Sequence, residues 1–155
     1  MGGDRHNNVI DALFRALPPA GVTAHRFDFT SSDLAIAAAQ TLDVVALAAT
    51  DSVPVFLLGY SFGGGVAATI NDDRLAGWFL VAPALTIVEP TIGNDPRPKG
   101  IASAEQDQFF PPELIDERTS EWVNVERTVI PGADHFFPGK TGAVALEVLA
   151  WIGAQ

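Results

Sequence analysis

Cysteine is absent from the 155 residues, and with it go disulfide bridges, thiolate nucleophiles and cysteine-type zinc sites. Positive charge is scarce: nine Lys and Arg stand against nineteen Asp and Glu, for a formal net charge of −10 and a pI near 4.4. So acidic a chain is a poor partner for nucleic acid or for an anionic membrane surface. No apolar run approaches the ~18 residues that a membrane-spanning helix needs. The opening MGGDRHNN has no apolar stretch behind a basic start, so no secretory signal is expected. The default expectation for compartment is the cytoplasm. Histidine is also rare, at three residues, which narrows the search for a general base.

What remains is apolar and small. At 155 residues and 16.4 kDa the chain has the size of one domain with a substantial core. Its 48% hydrophobic content and mean hydropathy of +0.22 come largely from alanine. The centre of the pattern is residues 53–69, VPVFLLGYSFGGGVAAT. An apolar, β-branched-rich run (Val53, Val55, Phe56, Leu57, Leu58) stops at Gly59, and after Ser61 and three glycines an Ala-rich helical segment begins. Strand, tight turn and helix in that order are the setting in which G-x-S-x-G, here Gly59 to Gly63, presents a serine on a strained turn. The close approach of strand and helix should leave no room for a Cβ at Gly59 or Gly63. The other readings are a Gly-rich strand-to-helix turn holding a structural serine and a phosphate-cradling loop, but the Lys and Ser/Thr that close a P-loop are missing.

Residues 7–17 place Val9, Ile10, Leu13, Phe14 and Leu17 on one helical stripe that Pro18-Pro19 and Gly21 end. Residues 22–29, VTAHRFDF, read as a strand, and Ser32 or Asp33 caps an Ala/Leu-rich helix to about residue 49. After the elbow, residues 76–81 read as a buried strand, 89–98 as a Pro-rich loop and 99–104 as a weaker strand. Residues 106–112 read as a loop, 113–120 as a helical turn, 122–130 as a strand and 141–152 as a closing helix. Strands alternating with helices predict an α/β fold of three αβα layers on an open, mostly parallel sheet.

A serine hydroxyl is a weak nucleophile unless a base takes its proton and a third group orients that base. His6 lies upstream of the elbow, and His25 falls in a strand pattern that favours a partly buried, satisfied role. His135 follows the last strand in IPGADHFF, at the carboxyl end of the sheet, where reactive groups gather in open α/β sheets. The acid should follow the preceding strand, where AEQDQFFPP offers Asp107, with Glu105 a weaker rival. Asp134 adjoins His135 and is poorly placed to turn its carboxylate onto its neighbour's ring. Ser61, Asp107 and His135 then follow one another in the chain order of this hydrolase type, each after its own strand.

GYSFGG, AEQDQFFPP and IPGADHFF resemble the motifs of the α/β-hydrolase superfamily, in particular its small single-domain esterase-like members near the dienelactone-hydrolase group. Dienelactone hydrolases proper are less similar, since their nucleophile is cysteine. The resemblance spans essentially the whole chain and implies one domain over residues 1–155 without a cap domain. It assigns the nucleophile to Ser61, the acid to Asp107 and the base to His135. Family members usually carry a further strand before the segment that resembles residues 2–8, so the chain is expected to be shortened at its N-terminus. That strand would lie beside the elbow strand. Its loss should leave a gap there or draw residues 22–29 across.

The implied reaction is hydrolysis of carboxylic esters of small or flexible acyl substrates, with the backbone N–H of Phe62 as one oxyanion donor. A second donor is expected near Gly2 and Gly3. Tyr60, Phe109 and Phe136 are candidate substrate contacts, with Phe109, Phe110, Phe136 and Phe137 readable either as an apolar pocket or as core. No cofactor or metal is implied, and the partner is a small-molecule ester. Thioesters and peptides suit the same triad, and a non-catalytic binding protein or fragment is the alternative of another kind.

Overall fold

The computed structural model describes residues 4–49 and 52–155. Helix α1, Asn8–Ala16, opens on Asn7, whose side chain accepts from the Val9 N–H. Pro18–Ala20 form a single 3-10 turn that Gly21 leaves at φ 81°, the left-handed conformation glycine adopts without steric cost. Helix α2, Leu34–Ala48, is capped by Asp33, which accepts from the N–H groups of Ala35 and Ile36. Strand β1 (Val55–Tyr60), helix α3 (Phe62–Ala68), strand β2 (Leu75–Val81) and strand β3 (Lys99–Ala104) follow. Helix α4 (Pro112–Arg118), strand β4 (Val125–Ile130) and helix α5 (Thr141–Gly153) complete the chain. Among the described residues no helix is long and apolar enough to cross a membrane.

The four strands are parallel and lie in chain order, β1-β2-β3-β4. The two-residue period of a strand sends alternate side chains to opposite faces. Phe79 and Val81 join Val9, Leu13, Val144, Val148 and Trp151 in a core beneath α1 and α5. Trp78 and Leu80 join Ala37, Val45, Val66, Leu85 and Ile115 in a second core beneath α2, α3 and α4. The result is a reduced three-layer αβα fold, in which β1 and β2 are near-continuously apolar because both of their faces are covered, while β4 (VERTVI) is largely polar and partly exposed.

Residues 22–29 correct an expectation, since they form no strand. Their side chains do alternate: Val22 and Ala24 pack on the first core, while Thr23 and His25 are exposed. Sheet membership, however, needs a backbone partner, and among the described residues β1 pairs only with β2. Among the described residues no backbone hydrogen bond joins residues 23–29 to β1. The alternation therefore marks an extended segment lying on the core by its side chains alone. Amide hydrogen exchange is expected to separate the two classes: residues 23–29 exchange by local fluctuation, whereas β2 and β3 wait for opening of the sheet. Protection of residues 23–29 equal to that of β2 would contradict this reading.

Candidate active site

The carboxyl ends of β1, β3 and β4 each deliver one side chain to a common point. At the end of β1, Ser61 takes φ 51° and ψ −116°, a conformation that costs a non-glycine residue ~1–3 kcal/mol. The turn is tied down on both sides. Ser61 N–H donates to the Val81 carbonyl at 2.9 Å, and the Ser61 carbonyl accepts from Gly65 and Ala84 N–H at 3.0 Å each. A Cβ on Gly59 would stand 2.3 Å from the Gly63 carbonyl oxygen, so the first glycine is obligatory. The second is not: a Cβ on Gly63 would meet only the edge of the Phe29 ring, at 3.7 Å. The expectation that both glycines must be bare is corrected in that respect. It is the Gly63 carbonyl, not its α-carbon, that packs on β1, and the second tight position is Gly64, whose Cβ would lie 3.0 Å from Pro83.

His135 and Asp107 reach the serine in line. The Ser61 Oγ is 2.9 Å from His135 Nε2, and His135 Nδ1 is 2.8 Å from Asp107 Oδ2. Both His135 and Asp107 are buried. An ionised carboxylate can only accept, so Nδ1 carries the ring proton and Nε2 offers its lone pair to the serine hydroxyl. Burial pushes the Asp107 carboxyl up, but the hydrogen bond from His135 and those from the Phe110 and Phe109 N–H groups outweigh it, and its pKa lies below the ordinary 3.8.

The rival acids are occupied elsewhere. Glu105 Oε2 accepts from Gly132 N–H at 2.7 Å, and Asp134 Oδ1 accepts from Phe136 N–H within its own loop at 2.9 Å. His6 and His25 are both exposed. His25 thus lacks the partial burial its strand pattern suggested, because that segment is not in the sheet.

The depressed pKa has a consequence for stability. Folding favours the ionised form of Asp107, so its contribution is complete above the ordinary carboxylate pKa of about 4 and is lost as pH falls through the lower folded value. Asp107→Asn is expected to flatten the acid limb of unfolding free energy, read by urea unfolding at successive pH values from about 6 down to about 3. An unchanged slope would mean that the carboxylate gains nothing from its partners.

The four phenylalanines divide into two pairs. Phe137 is fully buried and Phe110 packs on the second core, whereas Phe109 and Phe136 are each 53% exposed. The two exposed rings lie 6.1 Å apart, edge to face, and 5.1 and 5.4 Å from the imidazole. Tyr60 lies 5.6 Å from the imidazole, and its hydroxyl donates to the His135 carbonyl oxygen at 2.9 Å. Phe62 is the first residue of α3, where the N–H has no acceptor within the helix. The Gly2 and Gly3 positions expected to supply a second donor lie outside the described residues. Among the described residues no group of three His, Asp or Glu is gathered to hold a metal ion.

No family model and no curated protein matches the chain, but solved structures do. A serine hydrolase homologue from Coxiella burnetii aligns over 99% of this chain and 79% of its own, at 25% identity and a TM-score of 0.80. Est1E from Butyrivibrio proteoclasticus aligns over 99% and 84%, at 19% identity and a TM-score of 0.85. The chain has the α/β-hydrolase fold. A serine hydrolase without a lid from Xanthomonas campestris aligns over 99% and 76%, at 20% identity and a TM-score of 0.82. Est1E is also known with ferulic acid bound, and that structure aligns over 97% and 86% at 18% identity and a TM-score of 0.76. These neighbours of the α/β-hydrolase fold are serine hydrolases and esterases.

Two contacts around the base escaped the sequence reading. Asn8 Nδ2 donates to the Phe136 carbonyl at 2.7 Å across 128 residues, and the Tyr60 bond spans 75. Nothing in the local sequence marks either, because each depends on which loops the sheet brings together.

Proposed function

We propose that the chain is a serine hydrolase that cleaves carboxylic esters of small or flexible acyl substrates through an acyl-enzyme. The observation that carries this reading is the unbroken hydrogen-bonded line from Asp107 through His135 to the Ser61 hydroxyl, at 2.8 and 2.9 Å. In the first half-reaction Ser61 Oγ attacks the ester carbonyl carbon while His135 Nε2 takes its proton, and Asp107 stabilises the imidazolium. Negative charge develops on the carbonyl oxygen, where the Phe62 N–H at the start of α3 donates to it. Collapse returns the proton to the leaving alkoxide and leaves the acyl group on Ser61. Water, deprotonated by the same imidazole, then releases the acid.

Phe109 and Phe136 give the acyl or leaving group an apolar wall beside the imidazole. An aromatic acyl group such as that of ferulic acid, which Est1E binds, suits such a wall. The test is labelling by a fluorophosphonate probe together with turnover of short-chain p-nitrophenyl esters. Wild type should label and turn over, while Ser61→Ala and His135→Ala should do neither. Equal labelling of wild type and Ser61→Ala would remove the assignment.

A further inference from the structure

We propose that Tyr60 is a positioning residue rather than a substrate contact: its hydroxyl holds the carbonyl of His135 and thereby sets the reach of the imidazole to Ser61. This rests on the hydrolase reading given above. Tyr60 closes β1 and immediately precedes the nucleophile, so the bond from its side chain ties the main chain of the base to the residue next to Ser61. The bond is 2.9 Å long, and among the described residues no other group donates to that carbonyl.

The loop around His135 has little regular structure to hold it. Residues 131–140 lie between β4 and α5, and Phe137 within them is at φ 51°, a strained value for a bulky residue. It is held by backbone bonds, Gln106 N–H to the Ala133 carbonyl at 2.8 Å and Phe137 N–H to the Asp134 carbonyl at 3.1 Å among them, and by three side chains from outside the loop that bond to its main chain. Glu105 takes the Gly132 N–H at the start of the loop, Asn8 gives to the Phe136 carbonyl, and Tyr60 gives to His135 itself. Of the three, only Tyr60 acts on the residue that carries the base. Burial first, then the negative charges of Asp107 and Asp134, push its phenol up to about 12, so the hydroxyl remains a donor across the range in which esters are ordinarily assayed. The ring also packs on Phe137 at 6.3 Å, a contact that Tyr60→Phe preserves.

Removing only the hydroxyl tests the proposal. A base displaced by a fraction of an ångström slows the chemical step and leaves binding alone. Tyr60→Phe is therefore expected to lower kcat on p-nitrophenyl acetate ~10-fold, with KM changed by less than about twofold. The second readout needs no substrate: the His135 Nδ1 proton, observed by NMR in its hydrogen bond to Asp107, should shift or broaden in Tyr60→Phe. A raised KM at unchanged kcat would return Tyr60 to the substrate and overturn the proposal, as would kcat, KM and the proton resonance all unchanged. If wild type turns over no ester yet the resonance moves in Tyr60→Phe, the positioning contact stands and the ester reading fails. If the resonance is also unmoved, both fail.

Discussion

Ser61→Ala and His135→Ala are each expected to lower kcat on p-nitrophenyl acetate by on the order of 10⁴-fold or more, and the double variant to be no slower than the slower single one. The expectation follows from the geometry of a single proton path. Among the described residues the Oγ proton has one acceptor, His135 Nε2 at 2.9 Å, so removing it leaves a hydroxyl that is almost never ionised at neutral pH. Removing the hydroxyl leaves the base nothing to activate but water. The two losses therefore describe the same step, and their free energies do not add. Asp107→Asn belongs to the same unit. Nδ1 donates to Oδ2 at 2.8 Å, and an amide in that place can present its N–H₂ instead, driving the ring to the tautomer whose Nε2 is protonated and useless as a base. Steady-state kinetics of the four variants check the set. Additive losses in the double variant would mean that serine and histidine act in separate steps.

The sequence was most legible where structure is local. The elbow could be read because an apolar strand, a strained serine and a small-residue helix are contiguous, and their chemistry constrains them within a dozen positions. Asp107 and His135 could be proposed because each follows its own strand in a parallel sheet, so chain order carries spatial meaning. The strand expected at residues 22–29 shows where that logic stops. Their alternation of burial is present, with Val22 and Ala24 on the core and Thr23 and His25 outside, yet pairing is decided by what lies on the far side of β1. The four phenylalanines make the same point: in each adjacent pair one ring is exposed, while Phe137 is buried in the first core and Phe110 packs against the second with its ring still 5.5 Å from the imidazole. Direction along an irregular loop has no period from which a face can be read.

The sharpest contrast between pattern and space lies in the glycines of the elbow, and it yields a pair of variants with opposite signs. Gly59→Ala is expected to destabilise the fold by ~3 kcal/mol or more, a fall in Tm of roughly 10 °C for a domain of this length. The new methyl would stand 2.3 Å from the Gly63 carbonyl oxygen, 2.6 Å from its carbonyl carbon and 2.7 Å from Gly64 Cα. All three are backbone atoms of the first turn of α3, with no side chain to rotate aside. Relief requires β1 and α3 to separate, which also draws Ser61 away from His135, so activity should fall with stability. Gly63→Ala meets one ring edge at an ordinary 3.7 Å and replaces a glycine inside a helix. There the loss of backbone freedom in the unfolded chain favours alanine by ~0.5–1 kcal/mol. Its Tm should hold or rise slightly, with the proton path from Ser61 to His135 intact. Thermal unfolding of both variants decides the matter, and equal destabilisation by the two would mean that the turn closes on both α-carbons alike.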